Sequence, residues 1–180
     1  MIITISGTPG SGKSTVAKLL AKKLRYAHHS EGEYARAMAA EMGITLEELN
    51  ARAERDKSID ESIDRNTIET AERGKDIVID ARLAWHFIPD SVKILLTVSP
   101  EVAAQRIFAA RRPDEQNLTL RQTKENVARR LRSEITRYAK RYQVDYTDPK
   151  HYDIVINTNS LTEEKIIDRI ITFLRKTVPA

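Results

Sequence analysis

Gly7-Thr8-Pro9-Gly10-Ser11-Gly12-Lys13-Ser14 fills every fixed position of the pattern G-x-x-x-x-G-K-[ST]. The stretch stands where that pattern carries meaning, after an apolar run at 2–6 and before an amphipathic one at 13–24. A strand that enters a glycine loop and leaves as a helix points successive backbone N–H groups at one place. No Cβ obstructs them, and the positive end of a helix dipole lies behind them. Phosphate oxygens suit such a cradle. Gly7, Thr8, Pro9, Gly10, Ser11, Gly12, Lys13, Ser14 and Thr15 are therefore the expected nucleotide-binding set. Lys13 is expected to bridge the β- and γ-phosphates of ATP, and the Ser14 hydroxyl to ligate Mg²⁺. A glycine turn matching by chance is the competing explanation, with odds below roughly 1% in a chain of ordinary composition.

Outward from the loop, short Ile/Val-rich runs recur at 76–80, 92–98 and 152–156, with a weaker strand at 26–30. Helical patterns lie between them. Val16, Leu19, Leu20 and Leu24 form one stripe of the first. Ile63, Ile68 and Ala71 mark a helix over 58–73 that ends at Gly74, a good stop signal. Pro100 opens another, with Val102, Ala103 and Ile107, since proline suits a first helical turn. Ile166, Ile167, Ile170, Ile171 and Leu174 make the buried face of the last, for which Ser160 and Glu163 form a candidate capping box. Continuous apolar strands alternating with helices predict an α/β, three-layer αβα P-loop fold on a five-stranded parallel sheet. A small helical insertion is expected over about 31–74.

The chain's 180 residues, 41% hydrophobic and 31% charged, fit one domain of 1–180 with no linker or repeat. There is no cysteine, which excludes a disulfide framework and a thiolate metal site and favours a reducing compartment. No apolar run approaches the roughly 18 residues needed to span a bilayer. The opening apolar run is too short for a signal peptide, so a cytoplasmic protein is expected. The net charge of +4 is uneven: 106–142 holds 11 Lys/Arg against 4 Asp/Glu. A basic block on a mildly acidic body implies an anionic partner. Because this block lacks a normal apolar stripe, it is expected to project as a helical, arginine-rich lid rather than join the core.

The quoted motifs resemble those of the nucleoside monophosphate kinases, most closely the archaeal-type cytidylate kinases, nearly end to end. The likeness rests on G-T-P-G-S-G-K-S-T at 7–15, S-E-G-E-Y-A-R at 30–36 and A-E-R-D-K-S-I-D-E-S-I-D-R at 53–65. It continues through V-I-D-A-R-L-A-W at 78–85, R-x-x-S-E-x-x-R-Y at 130–138 and Y-D-I-V-I-N-T at 152–158. The resemblance implies Mg-ATP-dependent phosphorylation of a nucleoside monophosphate, with CMP or dCMP favoured and the 31–74 insertion holding the acceptor. Its usual glycine is Ala81 here, and a Cβ there is expected to narrow the substrate's approach.

Ser30, Gly32 and Arg36 follow the second strand, at the edge where open parallel sheets bind ligands. Arg36 could grip a phosphate with two donors; the bland alternative is an exposed helix arginine. Asp80 and Arg82 stand at the tip of the third strand, where an aspartate can hold Mg²⁺ or its waters; a structural Asp–Arg pair is the alternative. Asp60 and Asp64, four apart, share a helix face. They could accept from a cytosine amine or belong to a solvated acidic face, and the sequence leaves both open. Of the basic-block arginines, Arg106, Arg130 and Arg137 are the expected catalytic ones, closing over the migrating charge. Arg111, Arg112, Arg129 and Arg132 are read as electrostatic. His28, His29, His86 and His151 lack metal-ligand spacing and are read as structural. Core packing is the expected role of Trp85 and Phe87, while Tyr138, Tyr142, Tyr146 and Tyr152 fit core or stacking. The 157–160 loop is expected beside the adenine. Small nucleotides are the expected partners and a monomer the expected state, with no membrane, protein or nucleic-acid partner. The rival functions are a kinase for AMP, UMP or a small metabolite, and a nucleotide-dependent RNA-binding protein.

Overall fold

The computed structural model describes residues 1–110 and 119–177. Five strands, β1 (Ile2–Gly7), β2 (Ala27–Ser30), β3 (Ile77–Asp80), β4 (Val92–Thr97) and β5 (Ile154–Asn157), form one sheet in the order β2-β3-β1-β4-β5. Every neighbouring pair is parallel. The register aligns Ser30 with Asp80 and Asp80 with Ile5, so three chain segments reach the carboxyl edge together beside the glycine loop. The last strand starts two residues later than its apolar run suggested. Tyr152 stays outside it, its hydroxyl donating to the Tyr146 carbonyl.

Helices α1 (Lys13–Leu24) and α8 (Glu163–Thr177) cover one face of the sheet. Val16, Leu20, Ile166, Ile167, Ile170 and Leu174 pack there on Ile3, Ile5, Ile94 and Leu96. Burying each such side chain contributes about 1.5–3 kcal/mol before entropy is counted. Leu19 does not join them: it is 40% exposed, and Ala17 and Ala21 take the inward positions instead. The start of α8 also differs from expectation. Thr162, not Ser160, accepts from a first-turn amide, that of Lys165 at 3.4 Å.

Between β2 and β3 run α2 (Glu31–Glu41), α3 (Leu46–Ala53) and α4 (Lys57–Arg73). They close on a small core of their own, built from Ala39, Leu49, Ala53, Ile59 and Ile63. Their starts are written in the sequence. Ser30 caps α2, Thr45 and Glu48 make a capping box on α3, and Asp56 caps α4. Gly74 stops α4 as expected, though with extended rather than left-handed backbone. Short α5 (Ala84–Phe87) follows β3. Ala81 sits among Ile77, Ile79, Ala84 and Ile88, so its methyl fills core and the expected narrowing of the substrate's approach is not found.

The basic block holds the end of α6 (Pro100–Ala110) and all of α7 (Leu120–Tyr142); Arg111 and Arg112 lie outside the described residues. Its expected lack of an inward face needs correction. Val127 and Tyr138 of α7 are buried, and Leu131, Ile135 and Tyr142 pack on a cluster of Leu83, Trp85, Tyr138 and Tyr146. A count of apolar residues misses this face because charged residues complete it. Trp85 is core, stacked on His151 at 4.4 Å. Among the described residues no helix is long and apolar enough to cross a membrane.

Candidate active site

The glycines of the loop are there for geometry. Gly10 and Gly12 have φ of +80° and +83°, and a Cβ on Gly10 would lie 2.7 Å from Ala103. A Cβ on Gly7 would lie 2.8 Å from the Leu96 carbonyl oxygen. Helix α1 begins without a side-chain cap and without an acidic residue in its first turn. Its first amides and its dipole are thus left for an external anion. Thr8 Oγ1 and Ser11 Oγ are buried in the loop with no hydrogen-bond partner among the described residues. Orphaned buried hydroxyls are rare, and here they fit a loop built to surround phosphate oxygens.

Lys13 reaches out of α1 and donates to Asp80 Oδ1 at the tip of β3. Asp80 is wholly buried, and Ser30 Oγ donates to its other oxygen at 3.3 Å. Burial opposes its ionisation. The Lys13 ammonium, helped by Ser14 and Arg82, outweighs that and holds the carboxyl below its ordinary range. Among the described residues no group of three or more His, Asp or Glu could hold a metal ion. Ser14 and Asp80 are side chains that could hold Mg²⁺, with nucleotide oxygens completing the shell. An ionised Asp80 beside a helix-terminal serine fits that donor set.

A cleft runs from the loop between α3 and α7, lined by Pro9, Leu46, Asn50, Val127 and Arg130. It continues into a tighter pocket reached by Gly32, Arg36, Asp60, Ile63, Arg82 and Tyr138; Arg130, Glu134 and Arg137 line both parts. The Arg36 guanidinium folds over the first turn of α2. A Cβ on Gly32 would meet it at 3.7 and 3.8 Å, ordinary contacts, so the glycine is not demanded by space. Arg137 lies with Nε 3.7 Å from Asp60 Oδ2, an ion pair but too long for a hydrogen bond, and that buried Nε finds no acceptor among the described residues.

Asp60 and Asp64, expected on one face, have different surroundings. Asp60 is 6% exposed and paired to Arg137 and Arg141, which removes the solvated-face reading for it. Burial raises its pKa, and the two arginines pull against that rise. Asp64 lines instead a surface notch with Lys57, Glu61, Arg65, Ile68, Arg141 and Tyr142. The Tyr142 hydroxyl donates to it. Burial pushes the Asp64 carboxyl up to about 7, with the Tyr142 bond lowering it and Glu31 and Asp60 adding to the rise.

Arg106 stands apart from the other arginines of the block. Its guanidinium donates to the Gly10 carbonyl at 3.4 Å, to Thr158 Oγ1 at 3.0 Å and to the Thr158 carbonyl at 2.6 Å. It ties the glycine loop to the loop after β5. Asn159 Oδ1 in turn accepts from the Ser99 amide at 2.8 Å.

A model of the cytidylate kinase-like family matches residues 2–160. The chain belongs to that family. It is 39% identical over 159 residues to the cytidylate kinase of Methanocella arvoryzae, covering 88% of both proteins. It is also 36% identical over 175 residues to an S-adenosylmethionine-dependent nucleotide dehydratase of Lacinutrix mariniflava, of which it spans 36%. Shikimate kinase from Bacteroides thetaiotaomicron superposes with a TM-score of 0.64 at 19% identity over 97% of this chain and 98% of that one, a likeness of fold. The P-loop αβα architecture is thus shared by this family and by a kinase of quite different substrate.

Three residues of this family member escaped the sequence reading. Glu134, 6% exposed, accepts from Arg82 Nε at 2.6 Å, from Arg130 Nε at 3.0 Å and from the Tyr146 hydroxyl at 3.0 Å. Arg141 donates to Asp60 at 3.1 Å, to the Lys57 carbonyl at 2.7 Å and to Glu61 at 3.0 Å. Glu31 accepts from the Arg82 amide at 2.8 Å. A signal for the second was present: Arg137 and Arg141, four apart, share a face with Tyr138 and Tyr142 behind them. For Glu134 the signal was the acid fixed in R-x-x-S-E-x-x-R-Y at 130–138, between Arg130 and Arg137.

Proposed function

We propose that this protein transfers the γ-phosphoryl group of ATP to a cytidine monophosphate, CMP or dCMP. The observation that carries the reading is where the unpaired polar atoms lie. Of the five buried side-chain polar atoms without a hydrogen-bond partner among the described residues, Thr8 Oγ1 and Ser11 Oγ are in the glycine loop and Arg137 Nε is in the adjoining cleft. Two anion-seeking sites joined by one cleft are what a donor polyphosphate and an acceptor phosphate require. The names of the relatives agree with that chemistry.

On this reading the insertion at 31–74 holds the acceptor, and α6 with α7, within 106–142, form the lid. Residues 7–15 bind the triphosphate through backbone amides, and Lys13 leaves Asp80 to reach its β- and γ-oxygens. Ser14 and Asp80 would hold Mg²⁺, which would supply neutralising charge beside the phosphates. Ser30, Gly32, Arg36 and Arg82 grip the acceptor phosphate, and Asp60 faces the cytosine amine. Asp64 backs that face through Tyr142. Arg130 and Arg137 meet the charge that spreads over the migrating group, while Arg106 fixes the loop against the adenine side. No general base is needed, because the nucleophile is already an anionic oxygen. The activity suits a monomer working in the cytoplasm on small nucleotides.

The test is steady-state turnover of CMP, dCMP, UMP and AMP by coupled ADP release. CMP or dCMP is expected to be fastest by at least about tenfold in kcat/KM, a difference of about 1.4 kcal/mol. A faster AMP would move the protein to another acceptor.

A further inference from the structure

We propose that Glu134 is a positioning residue that sets the two arginines flanking the reacting phosphates. The inference rests on the kinase reading above and deepens it. Its carboxylate joins the segment just after β3 to α7 through two site arginines. Oε2 takes the Nε hydrogen of Arg82 and Oε1 that of Arg130. Tyr146, fully buried, donates to Oε2 and locks the carboxylate in place. Both arginines line the acceptor pocket.

The chemistry of this arrangement differs from that of a structural salt bridge. Two guanidiniums meet on one carboxylate beside the cleft. Glu134 spends its oxygens on the Nε hydrogens, so the terminal nitrogens of Arg82, which make no hydrogen bond among the described residues, remain for a phosphate. A guanidinium binds phosphate as a planar fork, and its angle decides whether one or two bonds form. Fixing Nε fixes that plane. Burial disfavours a charged Glu134, but Arg82 and Arg130 outweigh it and keep the carboxylate ionised. Arg82 is likewise held charged by Glu134 against its own burial. An arginine left to choose its own rotamer would still attract the substrate, yet would meet the transition state in fewer of its conformations.

The test is Glu134→Gln, equal in shape but neutral, measured beside wild type in one assay with CMP and ATP. The expected result is a kcat lowered more than about tenfold, with both KM values within about threefold. Charge attraction survives while alignment is lost. Combined with Arg130→Lys, the loss is expected to be no greater than that of the worse single variant, since both break one unit. Unchanged kcat, a loss confined to KM, or losses that multiply would overturn the proposal. Should Glu134→Gln fail to fold, the wild-type protein decides. The Arg82 and Arg130 Nε–H signals are expected to exchange with water more than about tenfold slower than those of exposed Arg121 and Arg132. Equal exchange would overturn it. Absence of CMP turnover by wild type would fail the kinase reading instead, so the two failures are distinguishable.

Discussion

The Lys13 ammonium donates to the buried carboxylate of Asp80, joining the start of α1 to the tip of β3. The pair makes one group answerable for both folding and chemistry. Removing the cation leaves an unpaired charge in the core, which costs about 3–5 kcal/mol.

Lys13→Ala is accordingly expected to lose more than about a hundredfold in kcat/KM and also to lower stability at neutral pH. Because the folded-state pKa of Asp80 lies below 3.8, its contribution is present above that value and is lost as pH falls through the folded one. Adding Asp80→Asn to Lys13→Ala should restore part of the stability but none of the activity. Urea unfolding at pH 7, read beside turnover, checks both.

Asp64 gives the opposite sign. Its carboxyl titrates near 7 when folded against a reference of 3.8, so the native state binds the extra proton between those values. Its effect is to make stability fall as pH rises through that window. Asp64→Asn is expected to flatten the dependence of Tm on pH between about 4 and 7 and to raise Tm at pH 8. A wild-type slope in the variant would place the titration elsewhere.

Arg137→Ala removes a guanidinium whose buried Nε has no acceptor among the described residues, and leaves Asp60 paired to Arg141. A loss of more than about a hundredfold in kcat/KM is expected, with KM for ATP changed less than about threefold. Arg141→Ala, which unties α7 from α4, should instead raise KM for the acceptor about tenfold. Steady-state kinetics in both substrates separates the two.

Gly10→Ala places a methyl 2.7 Å from Ala103 at a φ of +80°. The strain and overlap are expected to cost about 1–3 kcal/mol or more and to abolish Mg-ATP-induced thermal stabilisation. Gly32→Ala, whose Cβ has room, should retain stability within about 0.5 kcal/mol.

The fold was legible because its signals are local. Strand runs at 2–6 and 92–98, the loop at 7–14 and the isoleucine stripe of α8 each announce themselves within a dozen residues. The misreadings share a physical cause. Leu19 lies at the edge of its stripe, where alanine packing let α1 approach closely enough to leave it outside. Thr162 overtook Ser160 as a cap because the helix began two residues later. The inward face of α7 was missed because Glu134 is buried, and Arg137 and Arg141 largely covered, by pairing with residues more than 50 positions away, which no periodicity in hydropathy records. Asp60 and Asp64 could not be told apart for the same reason: what distinguishes them is contributed by α7.

The most direct test of the account is ³¹P NMR of the protein with Mg-ATP and CMP. The account predicts CDP and ADP appearing in equal amounts with no inorganic phosphate. ADP and inorganic phosphate formed at one rate with or without CMP, the monophosphate unchanged, would contradict it.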